Sequence, residues 1–405
     1  MTCSKKKTVG LLTIHGIHNF GSVLQTLATI RLTEKLGFSC RLINYQFPAR
    51  YHKMYAANGE NVPAWKQWIK KTAACLNLFD IISWGRLILR GEYRSYSASQ
   101  KKYDLFLQDL PSTERCTKRT VACMDSRFDV FLVGSDQTWN PRYLYRDYTF
   151  LLDFVSEGKK KLSYASSFGA KKMMPEFKDD YAFFLKRFDH LSVREQSGIP
   201  LIKELTGKDA VHCVDPTLTM TAEDWRKEAD YRSCPQKPYL LCYVLDYVFD
   251  PYPYILDLIS FVAEELGLEV YFLTNRRNKL VEKFGFVCHY DQGPREFLGL
   301  YDKASFVIST SFHGTAFSVI FHKSFIAVTN PNDSADDRVM DLLDSLHLNA
   351  AGIKASADIP LKKINLHTDY SNTDPILKDI RDRSEAYLRK ALEEEEQHEE
   401  FKSVV

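Results

Sequence analysis

The chain has 405 residues, and at about 100 to 200 residues per domain that length predicts two or three domains. Apolar residues make up 45% and charged residues 26%, which excludes a disordered, collagen-like or disulfide-scaffold chain. Lys and Arg total 54 against 52 Asp and Glu, so the net charge of +2 offers no global field for nucleic acid or membrane, and no nucleic-acid partner is expected.

Residues 9–14 form an apolar run that His15 and His18 stop well short of a signal-peptide core, and we read it as a first strand. A loop with Gly16, Asn19 and Gly21 follows. Val23, Leu27, Ile30 and Leu36 then recur at near-helical spacing until Gly37, and residues 41–45 read as the next strand. The opening is a βαβ unit with a right-handed, parallel crossover. Residues 65–103 break the alternation. They read as helical, carry Trp65, Trp68 and Trp84, and hold eight Lys or Arg against Asp80 and Glu92, a local charge of +6. Such a segment packs its apolar face on its own protein or lies on an anionic bilayer.

The alternation resumes with strands at 128–133, 162–166, 191–194 and 210–214 and helices at 176–188 and 199–205. A polar, Pro-punctuated stretch at 216–238 separates a second series. It has strands at 239–245, 269–274, 306–309 and 325–328 and helices at 254–266, 295–303 and 315–321. The fold class is therefore α/β, with two Rossmann-like domains at residues 1–225 and 236–350 and a helical insertion at about 50–125 in the first. Residues 370–405 form a C-terminal helix and an acidic tail with six Glu between 393 and 400, to which no chemistry is assigned. Nine scattered cysteines with no Cys-x-x-Cys pair point to a reducing, cytoplasmic compartment. No run reaches the ~18 uninterrupted apolar residues of a spanning helix.

Ligands of doubly wound sheets bind beyond the carboxyl ends of the strands, so the loops there carry the functional weight. The first, His15 to Ser22, is either a plain βα turn or a glycine-loosened loop that approaches a ligand, with Asn19 or Ser22 capping the helix. The second, Gly134 to Asn140, sets Asp136, Gln137 and Trp139 together. A carboxylate, an amide and an indole suit a sugar; the alternative is an Asp N-cap with Trp139 in the core. The third ends a buried strand in Arg194, whose planar fork binds phosphate or carboxylate, or else pairs with Glu195 or another acid. The fourth, Ser309 to Thr315, joins a strand to an apolar helix beginning near Thr315. Its N–H groups and hydroxyls suit an anion, and His313 can transfer protons there. Arg194 and His313 meet only if the active site is the interdomain cleft.

These loops resemble the polysaccharide pyruvyl transferase family. The resemblance runs through Gly10 to His15, Asn19 to Gln25, Phe128 to Asn140, Ser163 to Gly169, Ser192-Val193-Arg194-Glu195, Asp215-Pro216-Thr217-Leu218 and Ser311 to Ser318. It implies a GT-B-like pair of Rossmann-like domains. It also implies transfer of a pyruvyl group from phosphoenolpyruvate to a hexose of a polysaccharide or lipid-linked oligosaccharide, forming a cyclic pyruvate ketal and releasing phosphate. In that family an arginine on the first domain and a histidine on the second serve the donor, and Arg194 and His313 match them. One departure stands out. Family branches with a Ser-x-Arg-x-His pattern place an arginine where this chain has Ser311, so an anion contact is missing or moved, with Arg276 or Arg277 after the strand ending at Thr274 as places for it.

The expected catalytic residues are therefore His313, Arg194 and Asp136. Arg194, Ser311, His313, Gly314, Thr315, Asn275 and Arg276 are expected on the donor, and His15, Asn19, Gly21, Gln25, Asp136, Gln137 and Trp139 on the acceptor. No metal and no cofactor is expected: the histidines and acids lack ligand spacing, and phosphoenolpyruvate is a substrate. The +6 segment would place the protein peripherally at the inner membrane face. Two other readings compete, a nucleotide-sugar glycosyltransferase on the same scaffold and a non-catalytic glycan-binding protein.

Overall fold

A computed structural model describes residues 7–47, 93–246, 249–274, 277–331, 338–356 and 361–394. Most of the tryptophan-bearing insertion, Asn275, Arg276 and the acidic tail beyond residue 394 lie outside the described residues.

The first sheet is parallel, in the order β2-β1-β3-β4, from β1 (Thr8–Leu12), β2 (Ser39–Leu42), β3 (Val130–Val133) and β4 (Lys160–Ser163). Isolated parallel bridges Leu162–His190 and Ser166–Val193 extend it to the short pair β5 (Ser192–Val193) and β6 (Val211–His212). β3, Val-Phe-Leu-Val, is buried along its length, which explains its continuous apolar character. The helix after β1 starts at Phe20, earlier than its apolar spacing indicates, because Asn19 Oδ1 accepts the Ser22 N–H and caps it. It is buried on nearly every side. Thr26, Thr29 and Thr33 fit there because each hydroxyl donates to the carbonyl four residues back, at 2.8 Å.

The second sheet has six parallel strands in the order β12-β11-β10-β7-β8-β9, made of β7 (Tyr239–Tyr243), β8 (Glu269–Leu273), β9 (Cys288–His289), β10 (Phe306–Ser309), β11 (Ser324–Thr329) and β12 (Gly352–Lys354). The short edge strands β9 and β12 escape the sequence pattern because two or three residues carry no legible period. The helix after β10 runs from Phe312 to Ile320 with Ser311 as N-cap, so His313 stands in its first turn and not in the preceding loop as expected.

The halves meet through an apolar seam in which Phe20 stacks on Phe297 with ring centroids 4.7 Å apart and edges onto Tyr243 at 5.7 Å. The helix Tyr93–Gln108, part of the insertion, ties across the seam: Ser99 Oγ donates to Gln292 O at 2.8 Å, and Lys102 pairs with Glu296 at 2.8 Å. The C-terminal helix Thr373–Glu393 returns to the first half. Tyr387 donates to Ser163 O at 3.0 Å, and Ser384 Oγ accepts the Val214 N–H at 3.1 Å.

Candidate active site

Strand order reverses between β1 and β3 in the first sheet and between β7 and β10 in the second. The loops at those two switch points face each other across a cleft of about 740 Å³, within the range of small-molecule sites. Thr13 to Asn19 and Asp136 and Gln137 line one wall, and Tyr243, Leu245 and Thr310 to His313 the other.

At the base of the cleft the halves exchange charged contacts. Arg194, buried at 4% exposure, donates from Nη1 to Asp215 Oδ2 at 2.9 Å. Its guanidinium carbon lies 4.4 Å from the centre of the Phe312 ring, a cation–π contact across the domain boundary. Nε and Nη2 of the same buried group have no hydrogen-bond partner. A buried guanidinium with two unused donors is costly unless something accepts from them, which is what an anionic substrate does.

Asp215 holds the group together. Its Oδ2 accepts from Ser135 Oγ at 2.8 Å and stands 3.5 Å from His313 Nε2, while Oδ1 accepts from the Thr217 N–H and hydroxyl at 3.0 and 2.7 Å. Burial pushes its pKa up, but the nearby His313, then Arg194 and the hydrogen bonds from Thr217, outweigh that and hold it well below the usual carboxylate range. It is therefore an ionised counter-ion for both cross-domain groups. The His313 ring is seated on Gly21: a Cβ there would fall 2.0 Å from Nδ1.

Asp136 adopts φ 74°, a left-handed conformation that an Asp side chain tolerates better than most. Its carbonyl accepts the Thr138 and Ser167 N–H groups at 2.8 and 3.0 Å, fixing the turn. The carboxylate then accepts from Ser22 Oγ at 2.5 Å and lies 4.0 Å from Arg194 Nη2. Glu195 does not pair with its neighbour Arg194. Its Oε1 turns inward and accepts from Ser167 Oγ and the Phe168 N–H, both at 2.9 Å.

The expected acceptor residues divide. His15, Asn19, Asp136 and Gln137 line the cleft. His15 Nδ1 donates to Thr13 O at 2.9 Å, and burial lowers its pKa against the opposing hydrogen bonds to Thr13 and Asn44. Trp139 does not line it. It is fully buried, donates to Phe150 O at 3.2 Å and packs on Phe168 and Phe188, so the sugar platform expected of it is absent and the core reading is correct. Gln25 is likewise interior, its amide donating to Thr13 Oγ1 at 2.9 Å and Ser22 O at 2.8 Å. It braces the loop rather than meeting an acceptor. Gly21 serves the His313 ring, as above.

On the donor side Ser311 and His313 reach the cleft, while Arg194 lines only the small cavity of about 20 Å³ beneath it, with Asp215, Phe312 and Arg338. Gly314 and Thr315 sit behind the cleft. A Cβ at Gly314 would fall 2.1 Å from Ser309 Oγ, and Thr315 Oγ1 donates to Ser311 O at 3.1 Å, so the glycine and hydroxyl serve helix packing, not close approach of a ligand. Asn275 and Arg276 lie outside the described residues; Arg277 is drawn to Glu282 at 2.6 Å.

Three contributors escaped the sequence reading. Asp215 stands before Pro216 and reads as a turn residue, Ser22 reads as a helix cap, and Phe312 reads as core. Among the described residues no group of three or more His, Cys, Asp or Glu could hold a metal ion.

Two Rossmann-like domains closing on a shared cleft define a GT-B-like protein. The chain matches the solved UDP-N-acetylglucosamine 2-epimerase of Rickettsia bellii at 10% identity over 96% of each chain, with a TM-score of 0.51. The same enzyme of Methanocaldococcus jannaschii (12% identity, 93% and 99% covered) and the glycosyltransferase SnogD of Streptomyces nogalater (9%, 96% and 99%) are similar at a TM-score of 0.44. No curated protein sequence matches the chain. A family profile for polysaccharide pyruvyl transferases matches residues 19–332, most of the length, and the chain belongs to that family. No helix among the described residues is long and apolar enough to cross a membrane.

Proposed function

We propose that the protein transfers the pyruvyl group of phosphoenolpyruvate to two hydroxyls of one hexose, making a cyclic ketal and releasing phosphate. The observation that carries this reading is Arg194, buried against Asp215 and Phe312 with two donors unused, beside a histidine from the opposite domain. Phosphoenolpyruvate carries a carboxylate and a phosphate, and the fork of Arg194 and the N–H groups after Ser311 supply donors for them. His313 gives a proton to the methylene carbon, making C2 oxocarbenium-like. One sugar hydroxyl attacks C2 and loses its proton. The bond from C2 to the phosphate oxygen breaks, and the second hydroxyl closes the ring as its own proton leaves. Of the two protons released, one replaces that given to carbon and the other goes to phosphate.

Asp215 orients the imidazole and compensates the charge that develops on it. Asp136, held by Ser22, faces the acceptor wall and orients or deprotonates the attacking hydroxyl. The acceptor is a hexose of a polysaccharide or lipid-linked oligosaccharide, reached from the cytoplasmic face with the basic insertion against anionic lipid. Incubating the protein with phosphoenolpyruvate and a panel of hexose acceptors, including a lipid-linked one, should give phosphate together with a product heavier by one ketal-linked pyruvyl group. Thermal protection by a nucleotide sugar, with none by phosphoenolpyruvate, would favour a glycosyltransferase instead. Co-sedimentation with anionic vesicles tests the membrane contact, which fails if the protein stays in the supernatant.

A further inference from the structure

We propose that Arg338 is the second anion-binding side chain of the cleft and holds one of the two acidic ends of the donor, an assignment that rests on the donor reading above.

The charge balance requires such a group. Arg194 spends Nη1 on Asp215, and these two charges cancel. Even an imidazolium at His313 would bring the trio to only +1, with Asp136 a further 4.0 Å from Nη2. The donor presents a carboxylate and a phosphate of roughly −1.5 to −2. A site with so small a positive excess would not desolvate that ligand favourably.

Among the described residues that line the cleft, Arg338 is the single Lys or Arg. It also lines a small cavity of about 20 Å³ at the base of the cleft, together with Arg194, Asp215 and Phe312. The two guanidinium residues thus share the space around Phe312. Glu195, raised by burial, feels both positive charges, Arg194 first and then Arg338. Arg338 opens the helix Arg338–Ser345, where the helix dipole disfavours a cation, so helix stability does not account for it. Asp341, one turn on, offsets part of that cost. Arg338 follows β11, so it approaches the site from a different loop than Ser311, the position at which the family pattern carries an arginine and this chain does not. A planar fork there can grip phosphate or carboxylate bidentately.

The test uses the full-length protein with three probes: phosphoenolpyruvate, inorganic phosphate and pyruvate. Dissociation constants and melting temperatures are measured for wild type, Arg338→Gln, Arg338→Met and Arg277→Gln. The expected result is a loss of at least about tenfold in phosphoenolpyruvate affinity in both Arg338 variants and none in Arg277→Gln. The single-anion probe that loses affinity in parallel identifies which acidic end Arg338 holds. Wild-type affinity for all three probes in a folded Arg338→Gln or Arg338→Met overturns the proposal. Failure of both neutral variants to fold assigns Arg338 a structural role and overturns it too. If wild type ignores phosphoenolpyruvate yet binds phosphate through Arg338, the anion site stands and the donor reading falls. Binding of none of the probes by wild type overturns both.

Discussion

The first domain brings its charges to the cleft already paired: Arg194 with Asp215, Asp136 with Ser22, Glu195 with the Ser167 hydroxyl and the Phe168 N–H. The second brings His313 in the first turn of a helix, seated on Gly21 of the first domain and 3.5 Å from its Asp215. One half is an electrostatic cradle, and the other supplies a histidine whose ring is seated against the first half. Buried charges need partners within their own fold, whereas a histidine can wait in either protonation state. The reactive geometry therefore depends on how the domains meet.

Removing the second domain's contribution gives the largest expected effect. His313→Ala should lower phosphate release about 10³-fold with the fold intact, checked by steady-state assay and circular dichroism. Breaking the first domain's interior instead should cost stability and spare acceptor recognition. Trp139→Ala is expected to destabilise by about 3–5 kcal/mol in denaturant titration, with acceptor KM unchanged in whatever folded protein remains.

Asp215→Asn attacks the pairing itself, leaving Arg194 without its counter-charge, at a cost of about 3 kcal/mol at neutral pH. Because the folded Asp215 pKa is depressed, its contribution is complete above the unfolded pKa of about 3.9 and fades as pH falls below it. The stability gap between wild type and variant should therefore narrow below about pH 4, and a gap independent of pH would contradict the assignment.

Gly21→Ala addresses the meeting point. The added methyl displaces the His313 ring, and a misplacement of about 1 Å should cost roughly 10²-fold in kcat, more than in donor KM. The smallest effect is expected at the tie across the seam. Ser99→Ala removes one hydrogen bond to Gln292 and should lower stability by about 1 kcal/mol, measured by thermal unfolding.

Arg194 and His313 could be marked in the sequence because each is a chargeable side chain just beyond a buried strand, where α/β proteins place their ligands. Trp139 was misassigned for a physical reason. An indole in a loop after a strand has the same sequence signature whether it faces the cleft or the core, and burial is decided by Phe168 and Phe188 from elsewhere in the chain. Gly21 and Gly314 were expected against a ligand, but the atoms that approach them are the His313 ring and Ser309 Oγ. Among the hydroxyls between Ser309 and Thr315, several could cap the helix, and backbone geometry selected Ser311.

From sequence alone came the order of most strands and helices, the two α/β series, and the loops in which chemistry could sit. These follow from short-range periodicity and from the steric rules of chain reversal, which act over a few residues. The tertiary structure decided which loops face each other, which acid serves as counter-ion, and which aromatic ring supports the guanidinium. Ser22 and Asp136 stand 114 positions apart yet 2.5 Å from each other, and no local pattern encodes that distance. It is set by the packing of whole sheets and helices.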